Sequence, residues 1–142
     1  MSTRSVRLER TSTGNYLATN ADGVSVAVGQ GADVMSPVEL LLAALGACSA
    51  IDVDVVMSRR AEPERFEVQV SGEKVTDETG GVRLAYLAVD FHLDYGDGQA
   101  AAQAEALVPR LVRASHDKDC TVSRTIELGT AVNMSVDGNP TS

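Results

Sequence analysis

Two cysteines, two histidines and a handful of charges are the residues of this chain with chemistry to offer. Cys48 stands in the middle of the apolar run Leu40-Leu41-Leu42-Ala43-Ala44-Leu45-Gly46-Ala47-Cys48-Ser49-Ala50-Ile51. A thiol in mid-helix gains little from the helix dipole, whose field fades beyond the first turn. Asp52, four residues on and on the same face, would raise its pKa, so Cys48 needs a nearby cation to react as thiolate. Cys120 closes the stretch Ser115-His116-Asp117-Lys118-Asp119-Cys120. It is expected at a junction between helix and strand, mobile and near solvent, next to Lys118 and one helical turn from His116. Each thiol is either a buried small hydrophobe or a reactive group. Together they suggest a division of labour in which a peroxide oxidises one thiol to a sulfenic acid and the other resolves it as a disulfide. As zinc ligands, Cys48, Cys120, His92 and His116 lack the short spacing of a structural site, and His92 reads as a half-exposed residue of an alternating strand. Neither a phosphate-binding glycine loop, nor a serine elbow, nor a paired-carboxylate signature is present.

The elements that must position these groups follow from periodicity. Ser36 is placed to accept from the backbone at Glu39, Pro37 suits the first helical position, and Glu39 can reach back to the Ser36 N–H. This capping box opens a helix over 36–60, with Arg59 and Arg60 at its C-terminal end and Pro63 beyond it. Leu41, Ala44, Leu45, Cys48, Ile51 and Val55 fall on one side; Ala43, Gly46, Ala47, Ala50 and Met57 fall on a second side of mostly small residues. A helix apolar on two sides must be covered twice, and a second copy of the chain is expected to supply one cover. Before the helix, 5–10, 15–19 and 23–28 read as a three-stranded antiparallel meander with turns at Thr13-Gly14-Asn15 and Asn20-Ala21-Asp22-Gly23. After it, 65–75 and 82–95 alternate about a Gly80-Gly81 turn and read as a hairpin. Residues 99–115 have helical spacing, with a kink or break expected near Leu107-Val108 because of Pro109. Residues 121–136 read as a last strand and 137–142 as a loose tail. The result is a single α+β domain over 1–142, with antiparallel sheet and helices on one face of it.

The bulk properties exclude several function classes. A chain of 142 residues with 44% hydrophobic and 4% aromatic residues describes one globular core of Val, Leu and Ala. The formal charge of -8, without any Lys/Arg run, argues against nucleic acid and anionic membrane surfaces as partners. No apolar stretch is expected to reach the roughly 20 residues of a spanning helix, and the first residues lack a secretory core, which implies a cytoplasmic location. Two cysteines are too few for a disulfide scaffold.

The stretch Ser36-Pro37-Val38-Glu39-Leu40-Leu41-Leu42-Ala43-Ala44-Leu45-Gly46-Ala47-Cys48 resembles the first cysteine motif of the OsmC/Ohr family, and His116-Asp117-Lys118-Asp119-Cys120-Thr121-Val122-Ser123 resembles the second. The resemblance covers nearly the whole chain. It implies an OsmC-like fold in an intertwined homodimer with sites at the subunit interface. It also implies cysteine-based reduction of organic hydroperoxides, with Cys48 at the peroxidatic and Cys120 at the resolving position. A dithiol, of lipoyl type in the hydroperoxide-resistance branch, would be the reductant, and no metal or organic cofactor is implied. In the well-studied branches a glutamate directly follows the Pro of the first motif; here Val38 takes that place and Glu39 comes next. Those branches also carry an arginine in an early glycine-rich loop, and Thr13-Gly14-Asn15-Tyr16-Leu17 has none. The chain is thus similar to a less characterised subgroup, in which Arg83, Lys118 or an arginine from a second subunit would have to serve as the cation, with His116 and Glu39 as further supporting groups. The expected role is peroxide reduction in oxidative or osmotic stress defence. The rivals are a non-catalytic dimer binding an apolar ligand and a thiol redox sensor.

Overall fold

A computed structural model describes residues 1–141. Its contacts gather into two compact units, one of residues 1–44 and 71–86, the other of residues 45–70 and 87 onward.

The first unit contains the meander. Strands β1 (Val6–Ser12), β2 (Asn15–Asn20) and β3 (Ser25–Gly29) pair antiparallel in the order β1-β2-β3. Polar side chains shape the turns: the Asn20 Oδ1 accepts from the N–H groups of Asp22 and Val24, and the Asn15 Oδ1 from Gly31. The unit also holds the start of α1 (Pro37–Met57). Both bonds of the expected capping box are present, Glu39 N–H to Ser36 Oγ at 3.1 Å and Ser36 N–H to Glu39 Oε1 at 2.9 Å. Also in this unit, the turn between β4 (Arg65–Thr76) and β5 (Val82–Asp94) is fastened by Asp77, whose Oδ1 accepts from Thr79 and Gly81. With only five residues between them, the two paired strands run antiparallel.

The second unit is built around the rest of α1. Its buried side is Leu45, Gly46, Ser49, Val53 and Met57. Of the two sides expected to be covered, Leu45 of the first and Gly46 and Met57 of the second are buried, while Leu41, Ile51 and Val55 of the first are exposed. The cause is Gly46. Without a side chain there, Val68 and Val70 of β4 come so close that a Cβ would lie 2.5 Å from Val70 Cγ2, and the strand settles on the small-residue stripe. Below this contact Val53 and Met57 are wholly buried with Tyr95 and with Ala101 and Ala104 of α2 (Gln99–Ala114). Phe66 and Phe91 meet edge to face at 6.2 Å. By length and composition α1 could cross a membrane, contrary to the expectation from sequence. Its buried Val53 and Met57 and its half-buried Asp52 are those of a core helix.

Three further expectations are corrected here. Pro109 does not break α2, which runs through it; the ring removes one N–H, and the buried Ala101 and Ala104 with Leu107 and Leu111 hold the turns around it. Residues 121–136 are not a strand: α3 (Thr121–Leu128) forms instead and ends at Gly129 with φ 70°. The β-branched Thr121, Val122, Thr125 and Ile126 suggest β structure, yet Val122, Ser123 and Ile126 turn inward at helical spacing, and the Cys120 sulfur caps the first turn. In the expected tail, of which Ser142 lies outside the described residues, β6 (Ser135–Val136) and β7 (Asn139–Pro140) pair across an Asp137-Gly138 turn in which both residues have positive φ. Helix α1 also stops at Met57, so Arg59 and Arg60 lie just past it and are exposed.

Candidate active site

The second unit brings the two thiols together. Cys48 is half-buried on α1, and Cys120 is completely buried between α2 and α3, so it is neither mobile nor near solvent as expected. The reason is local. Between α2 and α3 the chain makes one wide turn, residues Ser115–Asp119, closed by the Cys120 N–H bonding to the Ser115 carbonyl at 2.8 Å. That turn swings Cys120 inward, where its Sγ accepts from the Ser123 N–H at 3.3 Å. The Cys120 thiol thereby neighbours that of Cys48, without a bond between the two sulfurs.

Burial pushes the Cys48 thiol above its ordinary range. The Val122 N–H pulls the other way, while the Cys120 thiol and then the Asp52 carboxylate raise it further. Among the described residues, the groups that shift it are Val122, Cys120 and Asp52, and no cation is one of them. Asp52 is held in turn by Ser115, whose buried Oγ donates to Asp52 Oδ2 at 2.6 Å.

The same unit holds a cavity of about 510 Å³, and neither cysteine is among the residues that line it. Its wall includes Ser49, the residue after Cys48, and Ser123, whose amide holds Cys120. Leu45, Leu87, Val89, Phe91, Val112 and Ile126 make most of the rest apolar. The polar end is Arg113 with His116 and Glu127. The His116 ring sits between two carboxylates, Nε2 at 2.6 Å from Glu127 and Nδ1 at 3.0 Å from Asp117, and the Glu127 bond in particular raises its pKa.

Of the residues singled out from sequence, Cys48 and Cys120 are brought together, and His116 lines the cavity. Lys118 is exposed and is not among the groups acting on Cys48. Glu39 is engaged in the capping box, which holds its carboxyl below the usual range through the Ser36 N–H. Arg83 belongs to the other unit, where its guanidinium donates to the Leu84 carbonyl. His92 is exposed beside Asp90, and no three potential metal-ligating side chains cluster among the described residues. Sequence reasoning missed Ser115, Ser49, Ser123 and Glu127. The signal for Ser115 and Ser123 was the spacing of small hydroxyl residues around Cys120.

A helix bearing one half-buried thiol, with a second thiol brought next to it by a wide turn, marks a small α+β protein with two neighbouring cysteines. Residues 29–135 match the family described as OsmC-like protein, and the chain belongs to that family. It is 35% identical over 132 residues to an uncharacterised protein of Mycobacterium tuberculosis, covering 91% of this chain and 93% of that one. The fold resembles that of an OsmC-like protein of unknown function from Vibrio cholerae, with TM-score 0.65, 13% identity, and 89% and 95% of the two chains covered. It also resembles the organic hydroperoxide resistance protein OhrB of Bacillus subtilis, with TM-score 0.55, 20% identity, and 87% and 89% covered.

Proposed function

We propose that the protein is a thiol peroxidase that reduces organic hydroperoxides to alcohols in oxidative or osmotic stress defence. The observation that carries this reading is the pairing of the Cys48 and Cys120 thiols, with a largely apolar cavity reaching the residues next to them, Ser49 and Ser123. The Cys48 thiolate attacks the terminal oxygen of ROOH; the O–O bond breaks, and the alkoxide leaves and takes a proton as ROH. Cys48 is left as sulfenic acid. The Cys120 sulfur then displaces the hydroxyl, which leaves as water, and the Cys48–Cys120 disulfide forms. An external dithiol, possessing the two electrons and two protons needed, reduces the disulfide and becomes oxidised itself. The apolar wall favours a hydroperoxide with a hydrocarbon body over hydrogen peroxide. The name of the Bacillus subtilis relative supports this substrate class. The reading takes the protein as a cytoplasmic homodimer, in which the exposed Leu41, Ile51 and Val55 of α1 would be covered by a second copy.

The test is stopped-flow consumption of cumene hydroperoxide and of hydrogen peroxide, with dihydrolipoamide as reductant, by wild type and Cys48→Ser. The expected result is turnover by wild type, faster with the organic peroxide, and none by the variant. Equal rates for the two proteins would remove Cys48 from the reaction.

One observation favours a second reading. A Cys48 thiol raised above its ordinary range with no cation acting on it is the state of a packing residue. On that reading the cavity holds an apolar ligand without turnover. A Cys48→Ser, Cys120→Ser variant that binds a fluorescent apolar probe as wild type does, with wild type consuming no peroxide, would decide for the binder.

A further inference from the structure

Ser115 is 1% exposed and uses each of its three polar groups on a different element. Its N–H donates to the carbonyls of Leu111 and Val112 at the end of α2. Its Oγ donates to Asp52 Oδ2 of α1 at 2.6 Å. Its carbonyl accepts the Cys120 N–H at 2.8 Å. Asp52 is one helical turn beyond Cys48 and on the same face. A continuous path of short bonds therefore runs from the α1 turn next to Cys48, through one side chain, to the backbone of Cys120.

We infer that Ser115 is the positioning residue of the dithiol, the strut that fixes Cys120 at disulfide-forming distance from Cys48. This rests on the thiol-peroxidase reading for its use, and on geometry alone for its effect. A bridge needs Cα atoms within about 7 Å and a narrow range of Cβ directions. Cys48 rides on a long helix, and Cys120 on a wide turn with five residues inside one hydrogen-bonded loop, a geometry that α-helical bonding does not enforce. The Cys48 sulfur itself meets the Val122 N–H and the Cys120 thiol, and Asp52–Ser115 is the bond that ties α1 to the turn preceding Cys120. Cutting it leaves the capping bond from Ser123 to the Cys120 sulfur in place but frees the turn to shift along the helix. A misplacement of about 1 Å can cost roughly a hundredfold in the rate of a reaction between held groups.

The readout is the effective concentration of the two thiols toward each other. The whole protein is equilibrated in glutathione buffers; oxidised glutathione supplies the oxidant, and two thiols become one disulfide as two glutathiones are released. Mass spectrometry counts the bridged fraction. Ser115→Ala is expected to lower the effective concentration at least about tenfold, and Ser115→Thr, which retains the hydroxyl, to restore it. Asp52→Ala cuts the same bond from the helix side, is expected to give the same loss, and carries the test alone if circular dichroism finds Ser115→Ala unfolded. An unchanged effective concentration in the folded variants overturns the inference, as does a wild type that forms no bridge at all. The peroxidase reading fails separately: wild type that bridges in glutathione but consumes no hydroperoxide sinks that reading and leaves the strut standing. A role in folding alone would lower the melting temperature without changing the bridged fraction of the folded protein.

Discussion

Raising the pH from 7 to 9 should increase the reactivity of Cys48 steeply. Burial is the largest influence on this thiol and raises its pKa; the Cys120 thiol and the Asp52 carboxylate add to it, and the Val122 N–H offsets only part. An ordinary cysteine titrates near about 8.5, so a thiol held above that is under about 3% thiolate at pH 7. Below its pKa the thiolate fraction climbs about tenfold per pH unit, so a thiol raised above its ordinary range is still gaining thiolate steeply between pH 7 and pH 9. A catalytic thiol activated to a pKa of about 6 would gain about a tenth over the same range. The assay is the alkylation rate of Cys48 by iodoacetamide, followed on the Cys48 peptide by mass spectrometry at half-unit steps from pH 6 to 10. Peroxide consumption in excess reductant should rise in parallel. The few thiolates present remain effective because nucleophilicity grows with pKa. Asp52→Asn should move the curve to slightly lower pH, since that carboxylate is the smallest of the named influences. A profile already level at pH 7.5 would refute the reasoning, because it demands a cation beside the sulfur that is absent from the groups acting on it.

Two further outcomes test the packing around the site. Tyr95 is buried, and its hydroxyl finds no hydrogen-bond partner among the described residues; Tyr95→Phe should leave stability unchanged or raise it by about 1 kcal/mol in urea denaturation, and a loss of more than that would mean the hydroxyl is satisfied. Gly46→Ala would press a methyl against Val70 at 2.5 Å. Overpacking of that kind costs about 1–3 kcal/mol, and better helix propensity returns up to about 1, so a net loss near 1–2 kcal/mol is expected. A stabilised variant would mean that the strand does not approach α1 so closely.

The elements most legible in the sequence were those whose signal is local. The capping box at Ser36 and Glu39 needs only four residues and came out with both bonds made. The meander and the β4–β5 hairpin follow from alternation between turns, and their strands begin and end within about two residues of the expected positions. Residues 121–128 failed because β-branched residues suit a strand by propensity, while the helix is decided by the Cys120 cap and by inward packing of Val122, Ser123 and Ile126. Which side of α1 is buried was also outside the sequence's reach: both sides are apolar, and the choice depends on how close Val68 and Val70 can come to Gly46.

The same division holds for the site. Composition and motif were enough to single out Cys48 and Cys120 and to expect that they work together, because a thiol's chemistry belongs to its residue type. What surrounds each sulfur belongs to the fold. The wide turn at Ser115–Asp119 turned a cysteine expected in solvent into a fully buried one, and burial then raised the Cys48 thiol where a cation had been sought. Sequence specifies which atoms can react; distance and dielectric, which set how readily they do so, arise only when segments remote in the chain are packed against each other.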